Sequence, residues 1–318
     1  MTVDSLSIPV LVTGASGFVG RALVLELTNR GYRVAALSRH QEAAVRFQSK
    51  LVACYDESVQ FMTAGSCLVH LAARVHVMHD NANDPLAEFR AANVDLALDL
   101  ARRAATAGVR RFIFLSSIKV NGEETLPGHA FGADDQGAPQ DAYALSKMEA
   151  EQGLRKISGE TGMELVIIRP PLVYGPGVRA NFAALMHAVA RGLPLPLGAI
   201  DNRRSLIALD NLLDFIAACI EHPAAANQTF VVSDGVDLST PELIRRIARA
   251  VHKPARLIPV PLWMLKTGAA LLGKQEKLQR LCGNLQIDIS KTRELLGWKP
   301  PFSVDESLTH TAAAELPP

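Results

Sequence analysis

The sequence predicts an α/β fold, a doubly wound parallel sheet with a smaller α/β substrate-binding lobe, and three observations predict it. Through the first half, short β-rich runs alternate with helical stretches, the order that builds parallel strands joined by crossover helices. The first of these runs passes through a glycine-rich turn into a helix, Thr13-Gly14-Ala-Ser-Gly17-Phe-Val-Gly20. After Pro171 the texture changes to proline-rich and glycine-rich loops with helices between them.

Hydrophobic periodicity places the elements in order. Residues 10–13 read as the first strand, 21–29 as a helix, 33–37 as the second strand and 67–71 as a later one. Residues 86–106 have helical periodicity, and 111–115 form the strand that delivers Ser116 and Ser117. Another strand over 164–168 is halted by Arg169-Pro170-Pro171, because proline cannot donate to a ladder. Residues 1–170 are thus expected to form the main domain and 171–318 mainly the lobe, with about 205–235 returning to the main domain. No internal repeat or low-complexity tract breaks this organisation.

Composition narrows the partners. The 318 residues are 48% hydrophobic and 20% charged, enough to bury a large core. A net charge of +1 gives no long-range attraction to phosphate backbones, so no nucleic acid is expected. Cys54, Cys67, Cys219 and Cys282 are scattered without a C-x-x-C pair, which suits reduced thiols in a cytoplasmic enzyme and no metal site. Residues 1–9 lack a basic leader, so no export signal is expected. The apolar segment 261–272 is about a dozen residues long and interrupted by Lys266, too short for a bilayer of roughly 30 Å. A packed helix is expected there and no membrane span, although peripheral attachment stays compatible with it.

The glycine turn sits between a strand and a helix, the context of a Rossmann-type dinucleotide site. Gly14 permits the tight turn, Gly17 lets backbone approach a pyrophosphate, and Gly20 lets the helix close on the sheet, whose N-terminus then favours the anion. The second strand ends Leu37-Ser38-Arg39, where an acid would hold the ribose hydroxyls of NAD; Arg39 favours NADP over NAD through a 2′-phosphate. Tyr143 and Lys147, four apart, share one helix face, so the ammonium is expected beside the phenol, favouring a phenolate. A free phenol has a pKa of roughly 10 and needs such help to exchange protons near neutrality.

Fingerprint first, a serine about a hundred residues later, then Tyr and Lys about twenty-five further on: in this order the chain resembles the extended short-chain dehydrogenases, in their epimerase and dehydratase branch. The resemblance implies that Tyr143 exchanges a proton with the C4 oxygen of a sugar, that Ser117 rather than Ser116 donates to that oxygen, and that Lys147 tunes the phenol and binds the nicotinamide ribose. Cofactor contacts implied in the same way are Phe18 and Val19 in the fingerprint, Leu71, Ala72 and Ala73 after His70, Asn93, Pro170 and Val173. His70 on an apolar strand reads as a core histidine; His76 and His79 are candidates for the sugar site. The family's adenine-contacting Asp has no clear equivalent in residues 51–56. Ile118-Lys119 stands where 4,6-dehydratases carry Asp-Glu, so elimination is excluded and chemistry stops at C4. Asn121 replaces the tyrosine usual in epimerases.

The second half is similar to UDP-sugar epimerases and reductases. The resemblance implies that Asn181, Arg204 and Arg280 hold the UDP diphosphate and that residues 194–199, with Leu197, form the uracil wall. Ser290 to Pro300 is similar to the family's terminal helix and Gly-Trp-x-Pro turn. Within the family the chain looks most like bacterial O-antigen enzymes that reduce UDP-4-keto-6-deoxy-N-acetylglucosamine to UDP-N-acetylquinovosamine. The expectation is therefore an NAD(P)H-dependent 4-keto reductase. The alternatives are a UDP-glucose or UDP-N-acetylglucosamine 4-epimerase with bound NAD, a carbonyl reductase for a small aglycone, and a non-catalytic NADP-binding regulator. A homodimer through the 86–106 and 141–160 stretches follows by analogy.

Overall fold

The computed structural model describes residues 8–37, 52–53, 61–75, 84–271, 273 and 275–316. Seven parallel strands form its sheet: β1 (Pro9–Thr13), β2 (Arg33–Leu37), β3 (Val52–Ala53), β4 (Cys67–His70), β5 (Arg111–Leu115), β6 (Glu164–Arg169) and, after three short strands, β10 (Gln228–Val231). Their spatial order is β10-β6-β5-β4-β1-β2-β3, the doubly wound arrangement expected from the alternating runs. The short strands β7 (Val173–Tyr174), β8 (Arg204–Ser205) and β9 (Ile207–Ala208), with β11 (Asp237–Leu238), make two small separate ladders, β7 with β9 and β8 with β11.

Eleven helices surround the strands among the described residues: α1 (Phe18–Asn29), α2 (Pro85–Arg90), α3 (Leu96–Thr106), α4 (Ala142–Thr161), α5 (Ala180–Ala190), α6 (Leu209–Glu221), α7 (Thr240–Ala250), α8 (Leu262–Leu271), α9 (Gln275–Cys282), α10 (Ser290–Leu296) and α11 (Val304–Glu315). Successive strand residues point to opposite faces, so Val10, Val12 and Ile113 meet α1 and α6 while Leu11, Phe112 and Phe114 meet α3 and α4. A third core joins α5, α7 and α11 around Tyr174, Phe182, Met186 and Ile244. The fully buried Arg111 pairs with Glu164 and donates to the carbonyls of Cys219, Ile220 and His222, closing the C-terminus of α6.

One expected helix differs. The periodicity over 86–106 is carried by α2, a π-helical turn over Ala91–Asp95, and α3. The wider turn rotates Asn93 inward, where it is 1% exposed.

Candidate active site

The strand order reverses between β1 and β4, the place where open α/β sheets leave a crevice at their C-terminal edge. Here Thr13 faces His70 across the ladder. The Thr13 hydroxyl accepts from Leu71 N and Ala72 N at 3.2 and 3.3 Å, so its own proton goes to His70 Nδ1 at 2.9 Å. His70 is thereby a neutral imidazole protonated at Nε2, stacked against Phe114, and burial followed by the Lys147 charge pushes its pKa down to about 3. The expected core histidine is what the structure contains.

The glycine turn meets the same crevice. Gly14 takes φ +67°, and a Cβ there would lie 2.7 Å from the Ala72 nitrogen, so two loops cross where only hydrogen fits. A Cβ on Gly20 would overlap the Gly14 carbonyl. Helix α1 starts with no side-chain cap and no acidic residue in its first turn, which leaves the Phe18, Val19 and Gly20 amides for an anion. Leu71, Ala72 and Ala73 line the opposite lip after β4, and Pro170 O accepts from Ile118 N at 3.0 Å while Val173 pairs with Ile207. A pyrophosphate-linked dinucleotide therefore fits the crevice by its donor set. Arg39, His76, His79 and most of the 51–56 stretch lie outside the described residues.

Helix α4 starts at an Asp141 cap that accepts from Ala144 N at 2.7 Å, and this sets Tyr143 in the first turn with Lys147 one turn on. The Ser117 hydroxyl accepts from Lys119 N at 3.2 Å and shares the cavity wall with the Tyr143 phenol, whose pKa it acts to lower. Lys119 also grips Asp141 and Glu123, pinning the serine loop to the start of α4. Burial pushes the Tyr143 phenol up to about 12, against the lowering effect of Ser117. The Lys147 ammonium donates to Leu115 O at 2.8 Å and lies 4.4 Å from the Phe114 ring centre; burial brings its pKa down to about 7, opposed by Glu151. This corrects the expected phenolate-favouring pair: the ammonium faces a carbonyl and an aromatic ring, and desolvation dominates both groups.

The two serines separate cleanly. Ser116 is 4% exposed and donates to Glu151 Oε1 at 2.6 Å. Glu151 accepts two bonds from Arg169, which also donates to Asn121 Oδ1 at 3.0 Å, and Asn121 donates to Gly132 O. Ser116 and Asn121 thus belong to a buried network beneath the site, whereas Ser117 opens onto a cavity. Sequence reasoning missed this network; its one legible sign is Glu151 at i+4 from Lys147 on the inward face. Asn93 is a second support, accepting from Arg74 N at 2.7 Å and donating to Arg74 O and to Ser146 Oγ, whose hydroxyl in turn donates to Tyr143 O.

A cavity of about 380 Å³ connects the halves of the molecule. Its wall brings Ser117 and Tyr143 together with Asn181 and Arg204, as well as Lys119, Glu123 and Glu124. Arg204 donates to Gly283 O at 2.9 Å, and burial lowers its pKa. Asn181 is the second residue of α5, directly after Ala180, which holds the left-handed φ of 56°, a strained position of the kind found at binding sites. The rest of the wall is largely apolar: Pro171, Leu172, Phe182, Leu185, Leu206, Leu238 and Leu285. Leu197 is a correction: it is 8% exposed inside the third core and does not line the cavity, because the 194–199 turn folds its leucine under the lobe. Arg280 lies on α9 between Gln279 and Leu281, both on the cavity wall, but its side chain lies outside the described residues.

Fold and site together define a dinucleotide-binding α/β protein whose serine, tyrosine and lysine gather at the C-terminal edge of the sheet. Residues 10–233 match the model of the NAD dependent epimerase/dehydratase family, and the chain belongs to that family. It is 48% identical over 315 residues to UDP-glucose 4-epimerase of Vibrio cholerae, covering 96% of this chain and 95% of that one. Among solved structures it is similar to UDP-glucuronic acid 4-epimerase from Bacillus cereus in complex with NAD, at TM-score 0.76 and 18% identity, covering 97% and 98% of the two chains. It is also similar to UDP-glucose 4-epimerase from Thermotoga maritima with UDP-glucose, at TM-score 0.74 and 21% identity, covering 96% and 98%. These two likenesses show the shared fold.

Proposed function

We propose that this protein is an NAD-dependent 4-epimerase of a UDP-linked hexose or N-acetylhexosamine. The observation that carries the choice is the 48% identity, over nearly the whole of both chains, to a UDP-glucose 4-epimerase. It supports the epimerase over the 4-keto reductase that the finer sequence resemblance favoured, and NAD over the NADP preference drawn from Arg39. The same reading includes a homodimer through α3 and α4, working in the cytoplasm.

The chain's own residues fit C4 chemistry. Tyr143, on the cavity wall, takes the proton of the C4 hydroxyl and returns it; Ser117, on the same wall, steadies the same oxygen. NAD held by the glycine turn at residues 14–20 and the lip at residues 71–73 would supply a nicotinamide able to take hydride from C4 and return it. For this role the Tyr143 phenol, held up to about 12 by burial, must ionise, and a Lys147 that carries its proton would favour that ionisation. Lys119 occupies the dehydratase acid–base position and is spent on Asp141 and Glu123, which supports chemistry confined to C4. Asn181 and Arg204 anchor the diphosphate, and the apolar wall offers the sugar few fixed partners, which lets a 4-keto sugar present its other face.

The test supplies UDP-glucose or UDP-N-acetylglucosamine to purified protein without added coenzyme. The 4-epimer is expected to form to equilibrium, with NAD released on denaturation, and Tyr143→Phe is expected to slow it by about 10²–10⁴-fold. Stoichiometric oxidation of NADPH or NADH by UDP-4-keto-6-deoxy-N-acetylglucosamine, with no epimerisation, would make the protein the reductase instead.

A further inference from the structure

Helix α8 reverses the usual arrangement of a surface helix. None of its residues is buried, and its half-buried positions are Leu265, Gly268 and Ala269, an i, i+3, i+4 stripe turned toward the protein. Trp263 is 68% exposed, Met264 48% and Leu271 84%, on the other sides. Water-facing helices put large apolar groups inward and polar ones outward; here two of the three inward positions are glycine and alanine, and the bulk points out. Ile258, 47% exposed just before the helix, adds to the apolar surface.

Charge says what covers it. Residues 252–282 contain six basic side chains, Lys253, Arg256, Lys266, Lys274, Lys277 and Arg280, against one acid, Glu276. The whole chain carries only +1, so its basic excess is gathered in the sequence around this apolar helix. A second copy docked across a two-fold axis would set the same basic segment against itself, whereas an anionic surface neutralises it. Ten residues of helix reach ~15 Å, half of a hydrocarbon core, and no helix among the described residues is long and apolar enough to cross a membrane.

We propose that α8 is a docking element for an anionic lipid bilayer surface. It lies in the interface plane with Trp263, Met264 and Leu271 entering the headgroup boundary and the exposed Lys253, Arg256 and Lys266 meeting lipid phosphates. The surface is close to the site: a cavity lined by Leu262, Lys266 and Gln279 between α8 and α9 shares Glu124 and Gln279 with the catalytic cavity.

The full chain is sedimented with vesicles of phosphatidylglycerol and phosphatidylethanolamine, and with neutral phosphatidylcholine vesicles. Binding is expected to be at least about tenfold stronger on the anionic vesicles, to fall as salt rises, and to shift Trp263 emission to the blue with quenching by brominated lipid. Trp263→Ser with Met264→Ser should lose that binding by about tenfold or more while UDP-sugar turnover in solution stays unchanged. No association with anionic vesicles, or equal association with neutral ones, overturns the proposal. So does a lipid-free dimer that Trp263→Ser dissociates, which would assign the face to a second copy. Because vesicle binding is read without turnover, it is independent of the reaction proposed above.

Discussion

In the proposed mechanism Lys147 joins catalysis and stability in one side chain. It is 1% exposed, and burial brings its pKa to about 7 in the fold, against roughly 10.4 in an unfolded chain. Between those values the unfolded state holds a proton that the folded state has released, so stability rises with pH through that window, and below about pH 7 the fold bears the full cost of the buried charge. Lys147→Met is therefore expected to abolish turnover yet raise the melting temperature near neutral pH by a few degrees, roughly, with the gain shrinking toward pH 10. A variant that melts below the parent at every pH would mean that the bond to Leu115 O and the Phe114 contact outweigh desolvation. Such a site is only half legible in sequence. The i, i+4 spacing marks Tyr143 and Lys147, but Ser116 and Ser117 are equivalent as letters until Glu151, 35 residues on, engages the first of them. Leu197 was misplaced for the same reason, since which face of a proline-rich turn is buried depends on helices elsewhere in the chain.

At the scale of elements, the π turn in the α2–α3 stretch is the feature that periodicity hides, because one extra residue shifts the apolar face by less than the width of the buried stripe. Strands β2 and β5 were legible to the residue, since each is an apolar run with polar or turn residues at its ends. β10 was not, because four residues, Gln228–Val231, become a strand only by pairing with β6 some sixty positions earlier. The π turn has a measurable purpose: it carries Asn93 under the lip formed by Leu71 to Arg74, where its amide makes both backbone bonds to Arg74 and one to Ser146. Asn93→Ala leaves those buried groups unpaired at a cost of roughly 1–3 kcal/mol. If the turn positions the lip, the loss should weaken NAD binding by about tenfold while single-turnover hydride transfer at saturating NAD stays near the parent rate. Unchanged NAD affinity together with a lowered melting temperature would leave Asn93 a structural residue alone.

For the molecule as a whole, the sheet and the third core around α5, α7 and α11 are tied by buried polar joints. Asp234 accepts from Ala208 N, Asn211 and the Tyr174 hydroxyl at 2.8 Å each, and Asn211 exchanges bonds with Phe302 O and N. The β1–β4 joint under the cofactor crevice is Thr13–His70, and it makes the fold sensitive to acid. His70 stays neutral in the fold down to about pH 3, while in the unfolded chain it takes a proton near its usual 6.5. Between those values the unfolded state binds more protons, so the stability this group contributes is whole above about pH 6.5 and is lost as pH falls toward 3. Protonation cannot be relieved in place, because Nδ1 already faces the Thr13 proton and Nε2 is buried with no hydrogen-bond partner. Carboxylates add to any acid unfolding, so the test is a difference: melting temperatures of the parent and His70→Asn from pH 7.5 to 4.5, roughly the upper part of the window. Asn keeps an acceptor toward Thr13 and does not titrate, so the variant is expected to start lower at pH 7.5 through lost packing on Phe114 and then to decline less steeply. Parallel declines in the two proteins would show that the acid lability comes from the carboxylates and that the His70 joint contributes none of it.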